Sequence, residues 1–278
     1  MKLNLFVIGA QKSGTSALHY FLSCHPQICM SQEKELMLFN REVFSQGDLS
    51  AAESLFPAEC SARYYGESTP YYMFERPVLR RIAAYNPEVR LIILLRNPVD
   101  RLVSQYAMNV RDGLTRLPLA LHLAGEPILY NIDRLLRSIN IPTPWRCRLI
   151  RNTNYRFDEP TGLNSFPGPL WCRNYMRRGF YDRHLKQVYR LFPRQNVLCV
   201  TTEDLEQRHE ETLRKIFEFL GVDPTVRVDQ TYVNRHEGFR RQVSPVVLKY
   251  VQWRLARHVT GLERLCGRGM AQVWVTER

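Results

Sequence analysis

Five residues with the means to hold an anion stand side by side: Lys12, Ser13, Gly14, Thr15 and Ser16. They follow an apolar run and precede a stretch with helical spacing. A strand, a glycine-bearing loop and a helix start place backbone N–H groups and the positive end of a helix dipole at one point. Hydroxyls at a helix start cap it or donate to an oxyanion, and a lysine adds a point charge. The nucleoside triphosphate loop G-x-x-x-x-G-K-[ST] places its lysine after the second glycine. Here Lys12 precedes Gly14, and Thr15 holds the lysine's place.

A second group supports an anionic ligand. Arg96 leaves an apolar run at residues 89–95, and Ser104 follows eight residues later. An arginine at a strand end can grip a phosphate with two parallel N–H groups. The residues equally allow an ion pair of Arg96 with Asp100. Glu33 and Glu35 offer carboxylates for proton abstraction, although Glu35 could instead pair with Lys34 or Arg41. The seven histidines include no pair at metal-ligand spacing, so no metal site is expected. His19 and His25 read as helix-surface and turn residues.

The elements that would position these residues follow from periodicity. Residues 3–9, 63–67, 89–95 and 196–201 read as strands, the first and third apolar on both faces as buried parallel strands are. Helical patterns cover residues 15–24, 76–86, 97–113, 177–193, 209–221 and 243–259. Strands alternating with helices give an α/β fold with a doubly wound parallel sheet, flanked by helices and carrying a P-loop-like anion-binding loop. Residues 25–32 read as a break. From residue 114 to about 169, prolines and turn residues loosen the pattern. The expectation is one domain over residues 1–278, with an irregular insertion at about 114–169 covering the acceptor site.

The chain has 278 residues, 45% of them hydrophobic, enough for a sizeable core. Its formal net charge of +12 favours an anionic partner over a neutral one. No apolar run approaches the roughly 18 residues of a membrane span. The seven cysteines form no C-x-x-C, so bridges and zinc ribbons are not expected, a Cys147–Cys172 bond staying open. A native chain start would mean a cytoplasmic protein; an excised domain would mean the Golgi lumen.

The segments "VIGAQKSGTSALHYFLSCHP" and "LIILLRNPVDRLVSQY" together resemble the two nucleotide-binding motifs of the sulfotransferases that use 3′-phosphoadenosine 5′-phosphosulfate (PAPS). The likeness is nearest to the heparan sulfate N- and 3-O-sulfotransferase branch and its bacterial relatives. It is strong over residues 5–39 and 67–106, recognisable over 179–222 and weak over 114–169. The resemblance implies that Lys12, Ser13, Gly14, Thr15 and Ser16 cradle the 5′-phosphosulfate and that Arg96 and Ser104 hold the 3′-phosphate. It implies that Arg235, Gly238 and Phe239, in "NRHEGFRR", close over the cofactor. Glu35, in "ELMLF", matches the family's glutamate base.

Two departures stand out: Met37 replaces a histidine of some relatives, and Ser68 replaces a lysine that touches the sulfate in several. Lys12 would then carry more of the electrostatic load, with Glu67 placed either to orient Lys12 or to serve as a second carboxylate.

The implied acceptor is a hydroxyl or amine of a carbohydrate, lipid or small metabolite, an acidic glycan among them. Arg146, Arg148, Arg151, Arg173, Arg177 and Arg178 could line its cleft or be solvated; Trp145, Tyr155, Phe157, Trp171 and Tyr175 could stack on sugars or pack the insertion. A kinase-like P-loop enzyme would need an acidic strand end where Arg96 stands. A non-enzymatic polyanion binder, nucleic acid included, would bring a recognition motif that the chain lacks.

Overall fold

The structure is a computed structural model that describes residues 2–40, 54–57, 61–138, 174–230, 243–266 and 274. Five strands form one sheet: β1 (Leu5–Gly9), β2 (Ile28–Met30), β3 (Tyr64–Ser68), β4 (Arg90–Leu95) and β5 (Val197–Thr201). Their order is β2-β3-β1-β4-β5, and every neighbouring pair is parallel. The order reverses at β1, and open sheets of this kind bind ligands beyond the strand ends at such a reversal. The helices are α1 (Thr15–Ser23), α2 (Arg76–Tyr85), α3 (Pro98–Arg111), α4 (Leu119–Ser138), α5 (Tyr181–Val188), α6 (Thr202–Gln207), α7 (His209–Leu220) and α8 (Pro245–Cys266).

Contacts divide the chain into two compact units. The first, residues 1–97, 181–235 and 258–278, holds the sheet. Alternate strand residues point to opposite faces, and each face meets its own helices. Leu5, Val7, Ile92 and Leu94 pack with Leu18, Phe21 and Leu22 of α1 and with Leu213, Ile216 and Phe217 of α7. Phe6, Ile8, Leu91 and Ile93 pack with Val78, Leu79 and Ile82 of α2 and with Leu185 and Val188 of α5. Burying each such side chain contributes about 1.5–3 kcal/mol, which is why β1 and β4 are apolar without alternation. The doubly wound parallel sheet expected from the sequence is therefore the fold.

Local signals fix the element ends. Thr201 accepts a hydrogen bond from the Asp204 N–H at 3.0 Å and so caps α6. Gly221, at φ 63°, ends α7 in the left-handed conformation that glycine adopts without strain. Gly9 permits a close approach: a Cβ there would lie 2.0 Å from Met73 Sδ.

The second unit comprises residues 98–180 and 236–257. Val99, Leu102 and Val103 of α3 bury against Leu119 and Leu123 of α4, with Tyr175, Phe180, Val251 and Leu255 completing the cluster. Arg101, fully buried here, donates to Gln105 Oε1 at 2.8 Å and to the Tyr175 carbonyl. Glu126 of α4 accepts the Met176 and Arg177 N–H groups at 3.0 and 2.9 Å.

Three expectations change. Residues 25–32 are not only a break, since Ile28–Met30 forms the edge strand β2 against β3. The stretch expected to be irregular opens with the 20-residue helix α4, which holds Pro127 inside it. Leu119 and Leu123, one turn apart, bury the helix's first turns ahead of Pro127; the rest of that stretch, residues 139–169, lies outside the described residues. Cys29 is disulfide-bonded, whereas Cys24, Cys199 and Cys266 are free thiols. Cys147 and Cys172 lie outside the described residues.

Leu94 is fully buried in β4 beneath the loop before α1, 3.8 Å from where a Cβ on Gly14 would stand. Leu94→Ala should lower unfolding free energy by about 2–5 kcal/mol in denaturant titration. A loss below about 1 kcal/mol would mean that this packing does not hold the sheet.

Candidate active site

The chain leaves β1 and turns at once. The Ala10 N–H crosses to the Leu94 carbonyl at 2.6 Å, and the Ser13 N–H returns to the Ala10 carbonyl at 3.2 Å. Lys12 (φ 70°) and Gly14 (φ 81°) both adopt left-handed backbone, a conformation that costs a non-glycine residue free energy. The result is a turn that delivers the chain into α1 with the first-turn amides directed outward. No side chain caps α1 at Gly14, and its first turn carries no acidic residue. Its positive end is therefore uncompensated by the helix's own residues.

Neighbouring strands hold this loop in place. The Thr202 hydroxyl, at the start of α6, is shared between the Ser13 carbonyl at 2.7 Å and the Leu95 carbonyl at 2.9 Å. Arg96, half-buried beyond β4, donates through Nη1 to the Lys12 carbonyl at 3.4 Å. Its own carbonyl accepts from the Tyr181 hydroxyl at 3.1 Å. The next N–H, that of Asn97, donates to Glu203 Oε1 at 2.9 Å. Arg96 and the Lys12 loop thus lie together at the ends of β1 and β4. Within the loop, the Ser13 hydroxyl is fully buried and has no hydrogen-bond partner. A buried orphan hydroxyl is the mark of a group missing its ligand.

Glu35 stands at the end of β3. Its N–H donates to the Ser68 carbonyl at 2.9 Å, and the Met37 N–H reaches Thr69 Oγ1 at 3.4 Å. Phe39, buried against Phe6 and Tyr72, anchors the segment. Glu35 and Met37 hold φ of 59° and 52°, so the backbone is strained where the carboxylate is presented to solvent.

Sequence reasoning missed one network. His19 is not a helix-surface residue but is buried at 8% exposure. Its Nε2–H donates to the Ser31 carbonyl at 3.0 Å, which leaves Nδ1 to accept from the Ser68 hydroxyl at 2.9 Å. Burial holds the ring below its ordinary pKa, the Ser31 bond opposes this, and the Lys34 charge lowers it further, so the ring is neutral. His25 is buried too, donating through Nε2 to the Asp223 carbonyl at 3.0 Å. The signal available was position: His19 shares the helical face of Leu18 and Leu22.

Ser104 lies on α3 in the second unit, half-buried. Arg235, Gly238 and Phe239 lie outside the described residues. Tyr175 packs in the core and Arg178 is buried at 3% exposure, so neither is solvated. Arg146, Arg148, Arg151, Arg173, Trp145, Tyr155, Phe157 and Trp171 lie outside the described residues. Among the described residues no group of histidine, cysteine, aspartate and glutamate could hold a metal ion, and no helix is long and apolar enough to cross a membrane.

Glu67 is completely buried on β3. Its Oε2 accepts from Thr69 Oγ1 at 2.9 Å, whereas Oε1 has no partner. Burial pushes its carboxyl up to about 7, the hydrogen bonds of Tyr72 and Thr69 pull back, and the Glu35 charge adds to the rise. A folded-state pKa above the unfolded value means the native state binds the proton more tightly. That stability is complete below about pH 4.5 and is lost as pH rises through about 7. The stability gap between the wild type and Glu67→Gln should therefore move in the variant's favour across that range in denaturant titrations. A gap independent of pH would contradict a protonated, buried Glu67.

The sulfotransferase domain family matches residues 2–240, which extend into both units. The chain is 28% identical over 233 residues to heparan sulfate glucosamine 3-O-sulfotransferase 6 of Homo sapiens, covering 84% of this chain and 56% of that protein. It is 26% identical over 235 residues to the bifunctional heparan sulfate N-deacetylase/N-sulfotransferase 2 of Homo sapiens, covering 81% of this chain and 22% of that one. The chain thus spans about half or less of the length of these relatives. A solved sulfotransferase from Alicyclobacillus acidocaldarius matches it with a TM-score of 0.70 at 25% identity, covering 99% of each chain. With strand order, phosphate-type loop and a family match over most of its length in agreement, the chain belongs to the sulfotransferase domain family, enzymes that transfer sulfuryl groups.

Proposed function

We propose that the protein transfers a sulfuryl group from PAPS to a hydroxyl or amine, with Glu35 as the base. The observation that carries this reading is the uncapped, acid-free start of α1 with Lys12 and Arg96 beside it. PAPS fits these residues. A sulfated phosphate suits outward amides, a lysine and the unpartnered Ser13 hydroxyl, and its second phosphate suits a guanidinium.

When bound, PAPS supplies the sulfuryl group: a bond forms from the acceptor oxygen or nitrogen to sulfur as the bond to the 5′-phosphate breaks, leaving its electron pair on the phosphate oxygen while the acceptor's proton passes to Glu35. The residues divide this work. Amides of the loop and the Ser13, Thr15 and Ser16 hydroxyls bind the 5′ end, with Gly14 allowing the turn. Lys12 neutralises charge developing on the phosphate oxygen. Arg96 holds the 3′-phosphate. From resemblance alone, Ser104 joins Arg96, and Arg235, Gly238 and Phe239 close over the adenosine.

The strained backbone at Glu35 supports its role, because such strain persists where function requires it. An acidic glycan is the favoured acceptor, given the net charge of +12 and the heparan sulfate relatives. The disulfide at Cys29 favours an oxidising compartment over the cytoplasm.

Transfer from labelled PAPS to a panel of acidic glycans, glycolipids and hydroxylated metabolites tests the activity. Glu35→Gln should lower kcat by about 10²–10⁴-fold while leaving affinity for PAP, the desulfated product, within about 2-fold; full turnover would remove Glu35 as the base. Arg96→Ala should weaken PAP binding by about 10-fold or more in calorimetry. Parent-like affinity in that variant would overturn the 3′-phosphate assignment.

A further inference from the structure

A second cation already reaches the anion loop. Lys34 Nζ donates to the Ser16 hydroxyl at 2.6 Å, spanning 18 residues of sequence, and the side chain is half-buried. Ser16 belongs to the first turn of α1, where the helix presents positive potential. An ammonium placed there gains nothing from the helix and loses hydration. Burial holds its pKa below the ordinary lysine value, with the neighbouring Glu35 charge opposing. Lys34 therefore attends an uncapped helix end whose preceding loop carries another lysine, Lys12. Such an arrangement is electrostatically favourable only when an anion completes it. The unpartnered, fully buried Ser13 hydroxyl in the same loop is an independent mark of a missing ligand.

The strand-end position beside this site supplies no charge. Ser68 is fully buried, and its hydroxyl is committed to the neutral His19, which is itself tied to Ser31. Lys34 directly precedes Glu35, whose N–H is fixed to the Ser68 carbonyl. One short segment thus brings an ammonium to the loop and a carboxylate next to it.

The geometry assigns Lys34 as the cation that binds the sulfuryl oxygens during transfer, a role separate from that of Lys12 on the phosphate. This assignment rests on the PAPS reading above. In the transfer the sulfuryl group passes from the phosphate oxygen to the acceptor atom, the leaving pair stays on the phosphate, and the acceptor's proton goes to Glu35. Lys34 keeps its protons throughout and offsets the negative charge on the sulfuryl oxygens as the group crosses.

The test compares the wild type, Lys34→Met and Lys34→Arg, each checked for an unchanged melting temperature. Calorimetry without acceptor measures affinity for PAPS and for PAP, which lacks the sulfuryl group; turnover is measured separately. In Lys34→Met the ratio of PAPS to PAP affinity should fall by about 10-fold, PAP affinity should hold within about 2-fold, and kcat should drop by about 10²-fold. Lys34→Arg should recover part of both losses. An unchanged affinity ratio and turnover in Lys34→Met would overturn the assignment while the wild type's own transfer keeps the PAPS reading intact. Equal weakening of PAPS and PAP would also overturn it, placing Lys34 on the phosphate. A wild type that neither binds PAP nor transfers sulfate would sink both readings, and that outcome is distinct from the other two.

Discussion

The start of α1 offers several amide hydrogens that no side chain of that helix receives, at the point where the helix dipole is most positive. That imbalance organises the surrounding chemistry. It exists because Lys12 and Gly14 take left-handed backbone, turning the chain sharply off β1. The turn is held by contacts from β4 and from the first residue of α6, so the strained loop is supported from two separate elements. A loop held this way keeps its amides in place before any ligand arrives, and less order must be created on binding.

The sheet explains why the functional groups converge. All five strands run parallel, so their C-terminal ends share one edge. β1 brings the loop, β4 brings Arg96, and β3 brings Ser68, on whose carbonyl Glu35 is fixed. The apolar strands bury both faces and leave side-chain chemistry only at their ends. The same strands carry buried polar groups just behind the edge. Burial there raises the Glu67 pKa and lowers that of His19, each shifted toward its neutral form, because an uncompensated charge in that dry setting is costly.

Much of this was legible in the sequence because it is local. The apolar runs of β1 and β4 and the pattern lysine–serine–glycine–threonine–serine declare buried strands and an anion loop without reference to distant residues. What was not legible depends on partners far along the chain. Ile28–Met30 is only three residues long and follows His25–Pro26, so its pairing with β3 gives no periodic signal. Pro118 and Pro127 read as breakers, yet Pro118 stands just before α4, where a missing N–H costs little, and Pro127 lies inside it. His19 finds Ser68 across 49 residues, and Lys34 finds Ser16 across 18; neither contact leaves a mark on neighbouring letters. In "QEKEL" the carboxylates Glu33 and Glu35 draw the reading, and the reach of Lys34 to Ser16 emerges only in the fold.

The most direct measurement is amide hydrogen exchange resolved at residues 12–16, with and without PAP and in the absence of magnesium. The account expects exchange there to slow markedly when PAP is added, as the free amides at the start of α1 take up the 5′-phosphate. Exchange at these residues left unchanged by saturating PAP, with protection arising elsewhere or nowhere, would contradict it.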